Sequence, residues 1–156
     1  TRNEHYEKMV RAVAEIALGH REAMTLGNLD VCRDWGFAGD YVRSMHQMLT
    51  LDDPQDFLIA TGESRPLSYL LEVAFRSAGL GDPAGFVQQD PALMRPADIV
   101  DLYGDPTKAR EQLGWAPTVT FEQVVEHMVL TDIRRLESGL EEHVSYLEPS
   151  STLTPG

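Results

Sequence analysis

Residues 23–42 read AMTLGNLDVCRDWGFAGDYV, and this stretch decides the fold class. The short apolar segment AMTLG predicts a strand, and a turn-rich segment follows it. A helix then begins near Gly39, because apolar residues recur at helical spacing at positions 41, 42, 45, 48 and 49. Strands that alternate with helices predict an α/β fold in which the strands pair in parallel.

The alternation continues on both sides of this stretch. Residues 4–18 carry a helical apolar pattern that stops near Gly19. The apolar run DFLIATG, residues 56–62, predicts a buried strand. A helix then starts at Pro66 and ends before Gly79. IVDLYG, residues 99–104, predicts a further strand.

Two more helices complete the expected set of about five. Asp105 and Pro106 are a cap and a first helical residue, and Gly114 ends that helix. Thr120 and Gln123 form a capping-box pattern ahead of a long apolar periodicity. We expect residues 1–137 to form one domain and residues 138–156 to be a disordered or loosely packed tail.

Composition excludes several classes of function. The formal net charge of −12, from 25 acidic and 13 basic residues, argues against nucleic-acid binding, which needs a basic face. No apolar run is long enough to span a membrane. Cys32 is the only cysteine, so no intrachain disulfide forms, and a cytoplasmic location fits best. The chain begins at Thr1 without a methionine, and we expect a fragment or a processed chain.

The usual cofactor, metal and nucleophile patterns are weak. GLGDPAG, residues 79–85, follows a helix and contains Pro83, so it predicts a loop and not a dinucleotide-binding turn. None of the five histidines has metal-ligand spacing. Cys32 has no basic neighbour except Arg33, so we do not expect it to be a nucleophile.

Arg33 and Arg95 are the most informative polar residues. Arg33 follows a turn-rich segment, and Arg95 precedes a proline, so both lie at element boundaries, where binding residues concentrate. Two guanidinium forks from different loops suit a diphosphate. Structural ion pairs with Asp34 or Asp98 are the alternative, and spacing by itself favours them.

Four segments in order carry a resemblance to a known family: GNLDVCRDWGFAGDYV, FLIATGE, RPADIVDLYGDPTKAREQLGWAP and TFEQVVEHMV. Over residues 8–135 the chain resembles the GDP-mannose 4,6-dehydratase family, extended short-chain dehydrogenases/reductases that act on a nucleotide sugar. RDWGFAGDYV together with IATGE is the specific part. The segment GDPTKAREQLGW is shared broadly among nucleotide-sugar epimerases and dehydratases.

The resemblance covers only the C-terminal, substrate-binding part of that enzyme. In the family, an N-terminal Rossmann domain binds NADP and carries a catalytic Tyr-x-x-x-Lys, a Ser/Thr and a Glu. None of the five tyrosines here has a lysine four residues on. We therefore expect an α/β part that lacks the Rossmann domain, binds no cofactor, carries no catalytic residue and is inactive alone. Its partners would be that domain and, in the full enzyme, further copies in a homo-oligomer.

The resemblance also assigns the substrate site. The arginine of the family's Arg-Asp-Trp-Gly motif falls on Arg33, and the arginine before Pro-Ala falls on Arg95; both are expected at the diphosphate and ribose of GDP. A family lysine in the first helix falls on Lys8, near the nucleotide, and Gly27 is assigned to the same site. Asp98 stands where the family usually has Glu, at a ribose hydroxyl.

The resemblance implies a role in converting GDP-mannose to GDP-4-keto-6-deoxymannose and water. This chain would bind the GDP moiety, and the missing domain would perform oxidation, water removal and hydride return with NADP. Two alternatives remain open. One is another GDP- or NDP-sugar epimerase or reductase of the superfamily. The other is a non-catalytic remnant that binds a nucleotide or a partner.

Overall fold

A computed structural model describes residues 3–94 and 101–139 of the chain. Within these ranges, five α-helices alternate with short strands. The helices are α1 (Asn3–Ala17), α2 (Ala38–Met48), α3 (Leu67–Ser77), α4 (Thr107–Leu113) and α5 (Phe121–Ser138). The strands are β1 (Met24–Leu26), β2 (Cys32–Asp34), β3 (Ser64–Pro66), β4 (Val87–Gln89) and β5 (Asp101–Leu102). Two 3-10 turns, Pro83–Gly85 and Pro91–Leu93, flank β4. The predicted α/β class is confirmed.

The strands form two small sheets. β1 pairs with β4 in parallel, and β2 pairs with β5 in parallel, as the alternation predicted. β2 also pairs with β3 in antiparallel register, which the sequence did not indicate. The predicted strand IVDLYG contributes β5, and its first two residues lie outside the described ranges.

The predicted strand at residues 56–62 is wrong. No strand forms there in the described structure, because side chains take several of the backbone groups that a sheet would pair. Asp34 accepts hydrogen bonds from the backbone N–H groups of Thr61 and Gly62, at 3.0 and 2.9 Å. Lys108 donates to the carbonyl of Asp56 at 2.8 Å, and Arg110 donates to the carbonyl of Thr61 at 3.1 Å.

Local signals placed the helix ends well. Thr120 and Gln123 form the predicted capping box at the start of α5. Asp105 accepts a hydrogen bond from the backbone N–H of Thr107 at 2.9 Å, but the N-cap of α4 is Pro106, one residue later than predicted. Gly114 ends α4 in the left-handed conformation, with φ of 62°. Of the predicted tail, residues 138–156, Ser138 belongs to α5 and Gly139 is its C-cap, and the rest lies outside the described residues.

One core of apolar side chains lies between α1, α3 and α5. Val13, Phe75 and Val129 have no exposed surface, and aliphatic residues from all three helices surround them. An aromatic group extends this core towards β2: Tyr6 contacts the ring of Trp35 edge-on, with centroids 5.3 Å apart, and Phe121 follows at 5.4 Å. This packing joins the start of α1 to the end of β2.

Candidate functional site

A cavity of about 640 Å³ lies beside the first half of α1. Its other walls come from β1 and the turn after it, from β2, and from the 3-10 turn Pro91–Leu93. The wall is largely apolar, with Met9, Met24, Val31, Leu67 and Leu93 among its residues. A cavity of this size and composition, with a few polar groups, is typical of a small-molecule site.

The charges in this cavity have one sign. Lys8, Arg21 and Arg33 line it, and none of its described lining residues is an aspartate or glutamate. The chain as a whole has 25 acidic and only 13 basic residues, so the cavity departs sharply from the average composition. Three cations around an apolar pocket attract an anion and disfavour a cationic ligand.

Arg33 is placed by β2 and is half-buried. Its Nη1 donates a hydrogen bond to the carbonyl of Cys32 at 2.6 Å, which holds the guanidinium close to β2. Across the antiparallel pair, Arg33 stands directly opposite Arg65. Like charges in this register repel each other. Arg65 is compensated by an ion pair with Glu63 at 2.7 Å.

The alternative role for Arg33 was an ion pair with Asp34, but the Asp34 carboxylate has other partners. It accepts hydrogen bonds from Thr61 and Gly62, and thereby ties the end of β2 to the segment before β3. The Asp34 ion pair is therefore not what holds Arg33. The other alternative, Asp98, lies outside the described residues.

Lys8 is exposed on α1, at the mouth of the cavity. It also lines a second, smaller groove between α1 and α5, together with Arg11, His127 and Arg135. A lysine carries its charge on a flexible stem, so it can follow an anion at the cavity mouth where an arginine fork would be fixed.

Gly27 lies where β1 passes the 3-10 turn. A Cβ atom at this position would lie 2.6 Å from the carbonyl oxygen of Leu93, so a side chain would push the two segments apart. The carbonyl of Gly27 also accepts a hydrogen bond from Gln89 Nε2 at 3.3 Å. The glycine lets the turn close over this side of the cavity.

The structure thus brings together Lys8, Gly27 and Arg33, three of the five residues assigned from the sequence. Arg95 and Asp98 lie outside the described residues, although Met94, next to Arg95 in the chain, lines the cavity. The sequence reasoning missed Arg21. A signal existed, since Arg21 lies between α1 and β1, at the kind of boundary that singled out Arg33.

Asp40 links α2 to the segment that precedes α5. It is 2% exposed and accepts hydrogen bonds from the backbone N–H and the hydroxyl of Thr118, at 2.8 and 2.6 Å. Arg43 pairs with it at 3.2 Å. Burial is the largest influence on the pKa of Asp40 and raises it, but the hydrogen bonds from Thr118 and Val119 and the charge of Arg43 together bring the pKa below its usual value.

Trp115 packs as the sequence predicted. It is 1% exposed, and its indole Nε1 donates to the carbonyl of Asp40 at 2.8 Å. Cys32 donates a weak hydrogen bond from its Sγ–H to the carbonyl of Asp30 at 3.5 Å. Within residues 3–94 and 101–139, no group of three potential ligands could hold a metal ion. None of the helices in these ranges has both the length and the hydropathy needed to cross a membrane.

The fold is that of the extended short-chain dehydrogenases/reductases. RMD from Pseudomonas aeruginosa, solved with NADPH, superposes with a TM-score of 0.74 at 20% identity, over 83% of this chain and 42% of that one. dTDP-glucose 4,6-dehydratase from Bacillus anthracis, solved with NAD, gives a TM-score of 0.69 at 17% identity, over 84% of this chain and 40% of that one.

The chain belongs to the GDP-mannose 4,6-dehydratase family, whose family model matches residues 1–128. GDP-mannose 4,6 dehydratase 2 of Arabidopsis thaliana is 43% identical over 126 residues, which are 81% of this chain and 34% of that protein. The Homo sapiens GDP-mannose 4,6 dehydratase is 38% identical over 148 residues, 85% of this chain and 40% of that protein. The chain therefore spans between about one third and two fifths of the length of these relatives.

Proposed function

We propose that this chain is the substrate-binding part of a GDP-mannose 4,6-dehydratase and that the cavity beside α1 receives the GDP moiety. The observation that carries the proposal is the cavity lining: three cations and no carboxylate among the described residues of a strongly acidic chain. A nucleoside diphosphate has the matching pattern, with two charged phosphates beside a flat, largely apolar base.

Arg33 and Lys8 are the proposed diphosphate ligands. The planar fork of Arg33 suits bidentate contact with phosphate oxygens, and Lys8 adds a mobile point charge at the mouth. Arg95 and Asp98 are proposed as further contacts at the diphosphate and ribose, on the family resemblance alone. Gly27 contributes through its backbone, since a side chain there would clash with Leu93.

The glycine-rich loop GLGDPAG does not fit a dinucleotide cofactor. The glycine-rich segment at residues 79–85 follows α3, and its 3-10 turn is capped by Asp82, whose Oδ1 accepts the backbone N–H of Ala84 at 2.9 Å. A carboxylate thus occupies a backbone donor that a pyrophosphate would need. We therefore assign NADP binding to a Rossmann domain outside this chain. We assign the chemical steps of the reaction to the same domain.

This chain would then supply binding energy and orientation. Charge-assisted contacts at the diphosphate hold one end of the substrate, so the sugar is presented in a fixed position to the catalytic domain. In this proposal the whole enzyme converts GDP-mannose to GDP-4-keto-6-deoxymannose and water. It would act as a cytoplasmic homo-oligomer.

The exposed face of α2 is the proposed contact with the Rossmann domain. Val42, Met45 and Leu49 are 62, 60 and 86% exposed, although they follow the helical spacing of a buried face. An apolar stripe of this kind is typical of a covered surface. The proposal explains why α2 has an apolar pattern on a side that no described segment covers.

A different nucleotide sugar is the second candidate. The fold is shared with UDP-glucose 4-epimerase from Thermotoga maritima, solved with UDP-glucose, at a TM-score of 0.61 and 26% identity over 83% of this chain and 38% of that one. An epimerase or reductase acting on another NDP-sugar would have a cavity with the same charges. A non-catalytic remnant is the remaining alternative, and it would bind a nucleotide without contributing to turnover.

Calorimetric titration with GDP, UDP and pyrophosphate tests the proposal. We expect GDP to bind, and Arg33→Ala to weaken it about ten- to hundredfold, since a charge-assisted contact is worth roughly 1.5–3 kcal/mol. Arg76→Ala is the matched control, because Arg76 is exposed at the end of α3 and away from the cavity. Tighter binding of UDP than of GDP would favour the second candidate. Absence of binding by all three ligands would contradict the proposal.

A further inference from the structure

The cavity carries cations at two separate ends. Trp35, two residues after Arg33, packs against Tyr6, so the Arg33 end lies beside the first turns of α1. Arg21 lies at the other end, because its Nη1 is 3.4 Å from Oε2 of Glu15. Tyr6 and Glu15 are nine residues apart on one helix, which is about 13 Å along its axis.

This spacing along α1 exceeds the length of a diphosphate, so we assign the two ends of the cavity to different parts of one ligand. With the phosphates at Arg33 and Lys8, the stretch towards Arg21 is apolar, with Met9, Ala12 and Met24 on its wall. This stretch suits the flat face of a base. The guanidinium of Arg21 would then meet the edge of the base and not a phosphate.

Arg21 has donors available for such a contact. Its one hydrogen bond within the described part of the chain is the long contact with Glu15, and its side chain is 45% exposed. Glu15 is shared with Arg11, whose Nε lies 3.3 Å from the other carboxylate oxygen. A guanidinium has five donors and no acceptor, so it can pair only with acceptors.

Resting on the proposed function, we propose that Arg21 reads the base and makes the cavity selective for guanine over adenine. Guanine presents two adjacent acceptors, O6 and N7, and an arginine fork contacts both at once. Adenine presents N7 beside an amino donor, which faces the donors of the arginine. Arg21 is thus a specificity-determining residue, whereas Arg33 provides affinity for any diphosphate.

Calorimetric titration of the 156-residue chain with GDP, ADP and pyrophosphate tests this inference. Arg21→Met keeps the aliphatic stem and removes every donor. We expect it to weaken GDP binding about ten- to hundredfold, which is the range for loss of a bidentate base contact. The affinities for ADP and pyrophosphate should change less than about twofold. The preference for GDP over ADP should disappear.

Arg11→Met is the matched control. It removes the other partner of Glu15, but Arg11 does not line the cavity, so GDP affinity should stay at the level of the parent chain. Unchanged GDP affinity in Arg21→Met would overturn the inference, as would an equal loss for GDP and pyrophosphate, which would make Arg21 a phosphate contact. If Arg33→Ala still weakens GDP in that case, the proposed site stands. If the parent chain binds neither GDP nor pyrophosphate, both proposals fail.

Discussion

The carboxylate of Asp34 accepts both the backbone N–H and the hydroxyl of Thr61, at 3.0 and 2.6 Å, across 27 residues of chain. A third hydrogen bond, from the backbone N–H of Gly62, occupies its second oxygen at 2.9 Å. Asp34 therefore stabilises the connection between β2 and β3, while its neighbour Arg33 lines the cavity. We therefore expect these two adjacent residues of one motif to have separable roles.

Asp34→Ala should lower stability and leave GDP affinity nearly unchanged. The substitution removes the acceptor of three hydrogen bonds. Gly62 is exposed and Thr61 is half-buried, so water replaces part of this bonding and we expect a loss of about 1–3 kcal/mol in total. Thermal melts and urea titrations measure the loss, and calorimetry measures affinity below the melting range. Weaker GDP binding by a variant that melts like the parent would contradict the structural role.

Arg33→Lys should recover only part of the affinity that Arg33→Ala loses. Lysine keeps the charge but replaces the planar fork with a point charge, so one of two parallel hydrogen bonds is lost. Calorimetric titration with GDP compares the three chains. If the Arg33→Ala variant binds GDP as tightly as the parent but melts at a much lower temperature, the role of this arginine is structural.

Asp40→Asn should be less stable than the parent at pH 7, and the difference should narrow on acidification. The pKa of Asp40 is below its usual value of 3.8 in the folded chain, so the unfolded chain takes up the proton first as the pH falls. The stabilisation is complete above about pH 5 and is lost as the pH drops through the lowered pKa. Urea titrations between pH 7 and pH 3 measure how the difference in free energy of unfolding between the parent and Asp40→Asn narrows.

Asp52→Asn is the control for this pH series, since Asp52 is exposed in the segment after α2. Its stability should follow that of the parent at every pH. A constant gap between the parent and Asp40→Asn across the whole range would show that the ionised form of Asp40 contributes nothing specific.

The exposed face of α2 should cause self-association of this chain. Met45 and Leu49 are 60 and 86% exposed, and apolar surface of this kind is stabilised by burial against another molecule. Light scattering should show a mass that rises with concentration, and the double substitution Met45→Lys, Leu49→Lys should suppress the rise. Leu130→Lys is the control, because Leu130 is 41% exposed on α5, away from this stripe. A monomer at high concentration would count against the prediction.

This chain should not turn over GDP-mannose with NADP. No tyrosine in it has a lysine four residues on, and its described glycine-rich segment is capped by Asp82. Incubation with both compounds should give no 4-keto product above a blank, although GDP binds. Turnover by the chain with no added domain would contradict the assignment of the chemistry to a separate Rossmann domain.

Local interactions made much of the fold predictable from the sequence. Thr120 and Gln123 exchange hydrogen bonds within one turn, at 2.9 and 3.3 Å, so their pattern predicts the start of α5. Gly114 ends α4 because a glycine adopts positive φ without strain. The family resemblance assigned Lys8, Gly27 and Arg33 to one nucleotide site, and these three line the same cavity. Their role in binding stays a prediction.

What the sequence by itself determined were the helices, their ends and the family. Tertiary structure decided the rest, because it depends on contacts between distant residues. The apolar run at residues 56–62 has the composition of a strand, but Asp34, far away in the chain, takes its backbone donors. The place of Arg21 between α1 and β1 was a weak local signal, but only the fold showed that it lines the same cavity as Arg33, since that depends on contacts between distant segments.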